Sequence, residues 1–278
     1  MPERVAVVTD STADIPPPRA VELGIHVVPL VVRIDETSYE DGTELPATMF
    51  YEKLKEAKSV PSTSQPSVGA FQATYEAIAA DEIVSIHISS KLSGTLNSAR
   101  TAAAEVNGKR IEVVDSAQVS LSLGYVAIAA AEAAQAGATF DEVCALAQRE
   151  VQQAGFYAVL DTLNHARRSG RIGFAQALLG SMLQVKPILA LRAGEVRPVD
   201  RPRTMRKALE RLAELTRRDA PFAYLAVPHA DNEPMAQELA ALLADVSPGT
   251  IDVVHTGATV GSHCGPGAVA ACYLRKRG

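Results

Sequence analysis

Cysteine is scarce: Cys144, Cys264 and Cys272 are the three in 278 residues. They offer neither an even disulfide framework nor a C-x-x-C pair, so reduced thiols and a cytoplasmic location are the expectation. Long apolar runs are missing as well. The N-terminal run in MPERVAVVTDST stops at Asp10, too short for a signal-peptide core. The longest apolar stretch, Val119 to Ala136, is interrupted by Ser120, Ser122, Glu132 and Gln135, too polar to span a bilayer. Positive charge is not in excess. Lys and Arg number 27 against 32 Asp and Glu, for a net charge of −5 and a pI near 5.7, which argues against a nucleic-acid binder with a broad basic face. Several catalytic signatures are absent too. The chain has no G-x-x-x-x-G-K-[ST] phosphate loop, no G-x-G-x-x-G fingerprint and no G-x-S-x-G elbow. The six histidines show no metal-ligand spacing, so neither a metal nor a cofactor is expected.

What is present is an ordinary globular composition, 47% hydrophobic and 21% charged, in a chain long enough to bury a core and hold an internal cavity. The first half alternates β-branched runs (Val5–Thr9, His26–Val32, Ile83–Ile88, Ile111–Val114) with helical patterns at Pro18–Leu23, Pro46–Ala57, Val68–Ala80, Thr95–Val106, Ser122–Ala136 and Phe140–Glu150. Strands separated by helices predict βαβ units and a mostly parallel sheet with helices on both faces. The second half predicts an α/β domain with a mixed sheet. Its strands are Phe156–Leu160, Ile188–Ala193, Val196–Pro198, Phe222–Pro228 and Ile251–Thr256. Helices lie at Asn164–Arg168, Phe174–Gln184, Arg203–Thr216 and Asn232–Ala244, with a last one from Gly267 to Arg275. The expected fold is therefore α/β with two domains, 1–155 and 156–278.

Three segments can carry chemistry. Pro61-Ser62-Thr63-Ser64-Gln65-Pro66-Ser67 precedes a helix; Ser67 suffices to cap it, which leaves Thr63 and Ser64 as candidate ligand groups. In Ser89-Ser90-Lys91-Leu92-Ser93-Gly94-Thr95, a strand runs into a loop, Gly94 permits a tight turn, and the helix start that follows suits an anion. Ser93 there either caps the helix or donates to a ligand. His263-Cys264-Gly265-Pro266-Gly267 places a histidine in a loop whose glycines allow close backbone approach. Lys91 is the only cation in these loops, and hydroxyl and N–H donors fit one carboxylate better than a polyphosphate.

Taken together these motifs resemble the DegV family of fatty-acid-binding proteins, which serve as the lipid-carrying subunit of bacterial fatty acid kinase. The resemblance runs from Thr9-Asp10-Ser11-Thr12-Ala13-Asp14 through Thr63–Ser67, Ser89–Ala99, Asp115-Ser116, Ser169-Gly170-Arg171-Ile172, Lys186–Leu189 and Arg203-Thr204 to His263–Gly267. It implies a long-chain fatty acid such as palmitate, held between or inside two α/β domains. The carboxylate would be gathered by Thr63, Ser93 and His263 with Ser64 nearby, and supported by Gly94, Thr95, Gly265 and Gly267. Cys264 and Lys91 depart from the family's usual residues. Phosphoryl transfer would belong to a separate ATP-dependent kinase subunit. Independently of the resemblance, the cationic stretch Arg201–Arg218, with seven Arg and Lys against two Glu, points to Arg203 and Arg206, together with Arg171, as its docking surface. Membrane contact would be at most transient. Apolar lining is expected from Phe156–Leu160, Phe174–Leu183 and Ile188–Leu191. The alternative is a phosphotransferase or hydrolase acting through Asp10 and Asp115 at neighbouring strand ends.

Overall fold

The computed structural model describes residues 5–171 and 185–277. The first half builds a four-stranded parallel sheet, ordered β2-β1-β6-β7, from β1 (Val5–Asp10), β2 (His26–Val28), β6 (Glu82–His87) and β7 (Arg110–Asp115). Alternating side chains explain its two covered faces. Val5, Val7, Val84 and Ile86 pack under α5 (Leu121–Gln135) and α6 (Phe140–Val151). On the other side, Ala6, Val8 and Ile83 meet Phe71 and Tyr75 of α3 (Val68–Ala77) and Ala99 and Ala102 of α4 (Thr95–Glu105). The remaining helices of this half are α1 (Pro17–Glu22) and α2 (Ala47–Glu56).

The predicted strand His26–Val32 is two strands. Pro29 has no N–H to donate to a ladder, and the chain leaves the parallel sheet there. It re-forms as β3 (Val31–Ile34), the centre of a small antiparallel sheet with β4 (Thr37–Glu40) and β5 (Ser62–Ser64). Ser62-Thr63-Ser64 carries no hydrophobic alternation and is absent from the strands expected from sequence; its pairing with β3 sets Thr63 opposite Val32.

The second half forms a six-stranded sheet ordered β10-β9-β8-β13-β11-β12. Its strands are β8 (Ala154–Val159), β9 (Ile188–Arg192), β10 (Glu195–Asp200), β11 (Phe222–His229), β12 (Asp252–His255) and β13 (Val269–Arg275). Only the β11–β12 pair is parallel, so this sheet is mixed, as the sequence predicts. The helix expected over Gly267–Arg275 is instead β13, a central strand paired antiparallel with β8 and β11. Its run Val-Ala-Ala-Cys-Tyr-Leu is buried on both faces, and such a run shows no periodicity that separates strand from buried helix. The predicted helix Phe174–Gln184 lies outside the described residues. One face of this sheet, including Tyr157, Val159, Ile188 and Ala190, packs with α8 (Met205–Arg217) and α9 (Glu233–Leu243). The other face meets α5, which thus lies between the two sheets and is buried along most of its length. Tyr125 of α5 stacks on Tyr224 of β11, ring centroids 5.0 Å apart. Two short helices, α7 (Asn164–Ser169) and α10 (Ala258–Cys264), complete the α-helices of the described residues. Among the described residues no helix is long and apolar enough to cross a membrane.

Candidate functional site: a hydroxyl-edged apolar cavity

In the order β2-β1-β6-β7 the chain leaves β1 on one side for β2 and returns on the other for β6. The crevice beyond the carboxyl ends of β1 and β6 is therefore the switch point at which parallel sheets collect ligands. A cavity of about 460 Å3 opens there, within the roughly 300–1,000 Å3 of small-molecule sites. Thr12, Ile88, Leu92, Ser93 and Gly94 border it from the strand-end loops, and Thr63, Ser64 and Gln65 from β5 and the turn after it. The six-stranded sheet supplies the opposite wall through Phe156 and Ala158 on β8, Leu160 just after it, and Leu189 and Leu191 on β9. Their period of two puts them on one face, while the residues between them face α8 and α9.

The structure brings Thr63, Ser64, Ser93, Gly94, His263 and Arg171 to this one cavity. Thr95, Gly265, Gly267, Arg203 and Arg206 lie outside its lining. Thr63 Oγ1 is 2.8 Å from His263 Nε2. Ser93 Oγ is 2.8 Å from Thr95 Oγ1 and accepts from the Thr95 N–H at 3.3 Å, with Thr95 fully buried behind it. The two hydroxyl segments are tied by Gln65, whose Nε2 donates to Ser98 Oγ at 3.0 Å. Gly94 is needed for that contact rather than for a turn: its φ is an ordinary −75°, but a Cβ there would lie 2.1 Å from Gln65 Oε1. Ser67 caps α3 by accepting from Ala70 N–H.

His263 does not sit in a loop before a helix. It occupies the last turn of α10, and a strand follows. Gly265 and Gly267 both have positive φ and let the chain press against α7 and the turn before it: a Cβ would come within 2.7 Å of His165 or 2.8 Å of Asp161. Burial, reinforced by the Arg171 charge, depresses the His263 imidazole to about 4, so the ring is neutral at physiological pH. Arg171 is the only charged side chain among the described lining residues, and it is exposed at the rim. Gln65 and the place of Arg171 at the rim were not expected from sequence. The glutamine inside Thr-Ser-Gln-Pro-Ser was the one available signal for the first.

Asp10 and Asp115 are not at neighbouring strand ends, because β6 separates β1 from β7. Asp10 is fully buried and accepts from Thr12 N–H, Ile88 N–H and the His87 ring, Asp10 Oδ2 lying 3.0 Å from His87 Nδ1. His87 Nε2 is in turn 2.6 Å from Ser85 Oγ. This has the connectivity of a Ser-His-Asp triad, but Ser85, His87 and Asp10 are all completely buried and none lines the cavity. Asp115 accepts from the N–H groups of Ser90 and Ala117 and so shapes a turn. Among the described residues no group of three or more His, Cys, Asp or Glu is placed to hold a metal ion.

A family model described as "Uncharacterised protein, DegV family" matches residues 4–276. The chain belongs to the DegV family. A DegV domain-containing protein of Streptomyces coelicolor is 42% identical, covering 96% of this chain and 97% of its own. Among solved structures, a DegV family protein from Thermus thermophilus described for its fatty acid binding superposes with a TM-score of 0.90. It is 35% identical and covers 98% of this chain and 100% of its own. DegV of Bacillus subtilis, described as a fatty acid binding protein, gives the same TM-score and identity over 98% and 99%.

Proposed function

We propose that this chain binds a long-chain fatty acid such as palmitate non-covalently in the cavity and presents the carboxylate, in the cytoplasm, to a separate ATP-dependent kinase subunit for acyl-phosphate formation. One observation carries the reading. The cavity has an apolar wall from β8 and β9 and a polar edge of hydroxyls, one neutral imidazole and one cation, with no acidic side chain among its described lining residues. That is the complement of a molecule with a long tail and a single negative charge.

An ionised carboxylate only accepts hydrogen bonds, so the site must offer donors. His263 Nδ1 is buried without a hydrogen-bond partner among the described residues. A buried N–H left unpaired is rarer than an unpaired lone pair, which favours the tautomer with its proton on Nε2. Nε2–H then donates to Thr63 Oγ1 and frees the Thr63 hydroxyl proton for the ligand. Thr95 supports Ser93 in the same way: its hydroxyl donates to Ser93 Oγ and leaves the Ser93 proton free. Two inner groups thus orient two outer hydroxyls toward one carboxylate, with Ser64 beside them and the Arg171 charge at the rim.

The tail supplies the affinity. About fifteen methylenes at ~0.8 kcal/mol each gain roughly 12 kcal/mol gross on leaving water, much of it offset by lost freedom and headgroup desolvation. Without bonded donors a buried carboxylate is heavily penalised. No base is required for phosphoryl transfer, since the ionised carboxylate is itself the nucleophile. Docking of the kinase is assigned to Arg171 at the rim with Arg203 and Arg206, both exposed before and within the first turn of α8. Charge reversal at Arg203 and Arg206, which lie outside the cavity lining, should abolish acyl-phosphate formation while fatty-acid binding persists. Unchanged turnover would remove the docking assignment.

Mass spectrometry of an organic extract of the purified protein tests the main reading. One equivalent of a C14–C18 acid is expected. Protein that carries none and takes up none when offered palmitate would overturn it.

A further inference from the structure

Helix α10 starts in an unusual way. Where a side chain caps the first N–H groups of a helix it usually stands at or next to the helix's own start, as Ser67, Thr139 and Thr204 do for α3, α6 and α8. At the start of α10 stands Gly257, which has no side chain. Its caps come instead from the opposite end of the sequence. Gly257 N–H donates to Asp14 Oδ1 at 2.9 Å, Ala258 N–H to Asp41 Oδ1 at 3.0 Å, and Thr259 N–H to Asp41 Oδ2 at 3.2 Å. A Cβ at residue 257 would stand 2.9 Å from Asp14 Oδ1 and 3.5 Å from Asp41 Oδ1, so the glycine makes room for this clamp.

The two carboxylates are not equivalent. Asp41 is 3% exposed and faces three donors, since the Ser11 hydroxyl also reaches Oδ2 at 3.0 Å. Each Asp41 oxygen faces a backbone N–H, Ala258 at Oδ1 and Thr259 at Oδ2, and a backbone N–H can only donate. Asp14 faces one N–H and the hydroxyl of Ser120, and a hydroxyl can donate or accept.

We infer that Asp41 is a positioning residue for His263: by holding two successive N–H groups at the start of α10, it sets the height and rotation of the helix whose last turn presents the imidazole to Thr63. His263 lies five residues beyond Ala258, about 7.5 Å along the axis, with no hinge between them. A helix of under two turns cannot define its own direction, and the bidentate carboxylate does so. The effect on ligand affinity rests on the fatty-acid reading of the cavity; the effect on the imidazole does not.

The test compares Asp41→Asn with Asp14→Asn in the full chain, using ring nitrogen NMR of His263 in ligand-free protein and palmitate affinity by displacement of a fluorescent fatty acid. In Asp41→Asn an amide NH2 must face an N–H or hydroxyl donor. In Asp14→Asn the amide oxygen keeps Gly257 and the amide nitrogen can donate to a reoriented Ser120. The expected result is a shifted His263 Nε2 signal and affinity weaker by about tenfold, one hydrogen bond's worth, for Asp41→Asn alone. Wild-type ring signals in folded Asp41→Asn overturn the inference, as do equal effects of the two variants. If Asp41→Asn does not fold, Ser11→Ala loosens the same carboxylate, and an unmoved His263 signal there overturns it equally. A shifted ring in Asp41→Asn, together with wild-type protein that takes up no palmitate, supports the positioning role while sinking the fatty-acid reading.

Discussion

Replacing Thr63 with Val isolates the headgroup contact. Val keeps the β-branch that suits β5, and the backbone pairing of Thr63 with Val32 is untouched. What disappears is one hydroxyl, 2.8 Å from His263 Nε2, on a residue that lines the cavity beside it. A hydrogen bond to a charged group is worth about 1.5–3 kcal/mol, which at ~1.4 kcal/mol per decade is a loss of about 10- to 150-fold in palmitate affinity. The lower end is expected in the complex, because the freed Nε2–H can turn to the carboxylate itself. Without ligand that N–H has lost its acceptor, so the variant should also lose about 1–3 kcal/mol of stability, a few degrees in Tm. The assay is displacement of a fluorescent fatty acid by palmitate and, separately, by its methyl ester, which has the same tail and no negative charge. The acid should weaken by the full factor and the ester by less than about threefold, collapsing the preference for acid over ester. Equal losses for acid and ester would mean that Thr63 acts on the tail or on the fold. Unchanged affinity for the acid would remove Thr63 from the site.

Ser93→Ala should weaken palmitate binding by a similar factor and, because the fully buried Thr95 hydroxyl loses its partner, also cost about 1–3 kcal/mol of stability; intact affinity would exclude Ser93 from the headgroup contact. Gly94→Ala is expected to be worse than either hydroxyl deletion, because its Cβ would displace the Gln65 amide that ties the two segments; thermal melting and the same displacement assay would show a combined loss, and a silent variant would refute the steric reading. Two buried groups give opposite pH signatures. His263 is pulled down to about 4 from an ordinary 6.5, so its unfolded form binds more protons between those values and stability falls as pH drops through that window; His263→Gln should flatten the acid limb of a Tm–pH curve. Burial raises the Asp14 carboxyl to about 7 from 3.8, so its contribution is present at low pH and lost as pH rises between those two values; Asp14→Asn should gain on wild type across that window and hold the gain above it.

The sheet that carries the switch point is readable because three of its strands, β1, β6 and β7, are short runs that lead into helices. Thr63, Ser93 and His263 were readable as residue types but not as neighbours, since 30 to 200 residues separate them in the chain. The misreadings have physical causes. The strand Val269–Arg275 is alanine-rich and covered on both faces, so nothing alternates along it. Strand Ser62–Ser64 exists only because β3 offers it an edge. Helix Ala258–Cys264 lacks a local cap and draws its partners from Asp14 and Asp41, which no window around residue 258 contains. Gly94 was assigned to a turn because a sequence shows the missing side chain and not the amide that fills its place.

Helix α5 bears on how the protein can be divided. Its inner side belongs to the parallel sheet and its outer side to the mixed one, and Ser122 and Gln118 at its start donate to the carbonyls of Gly155 and Ala154. A chain cut near residue 155 would leave that helix as an oily flank open to water. The two halves are thus expected to melt in one transition, and neither is expected to survive as a soluble fragment.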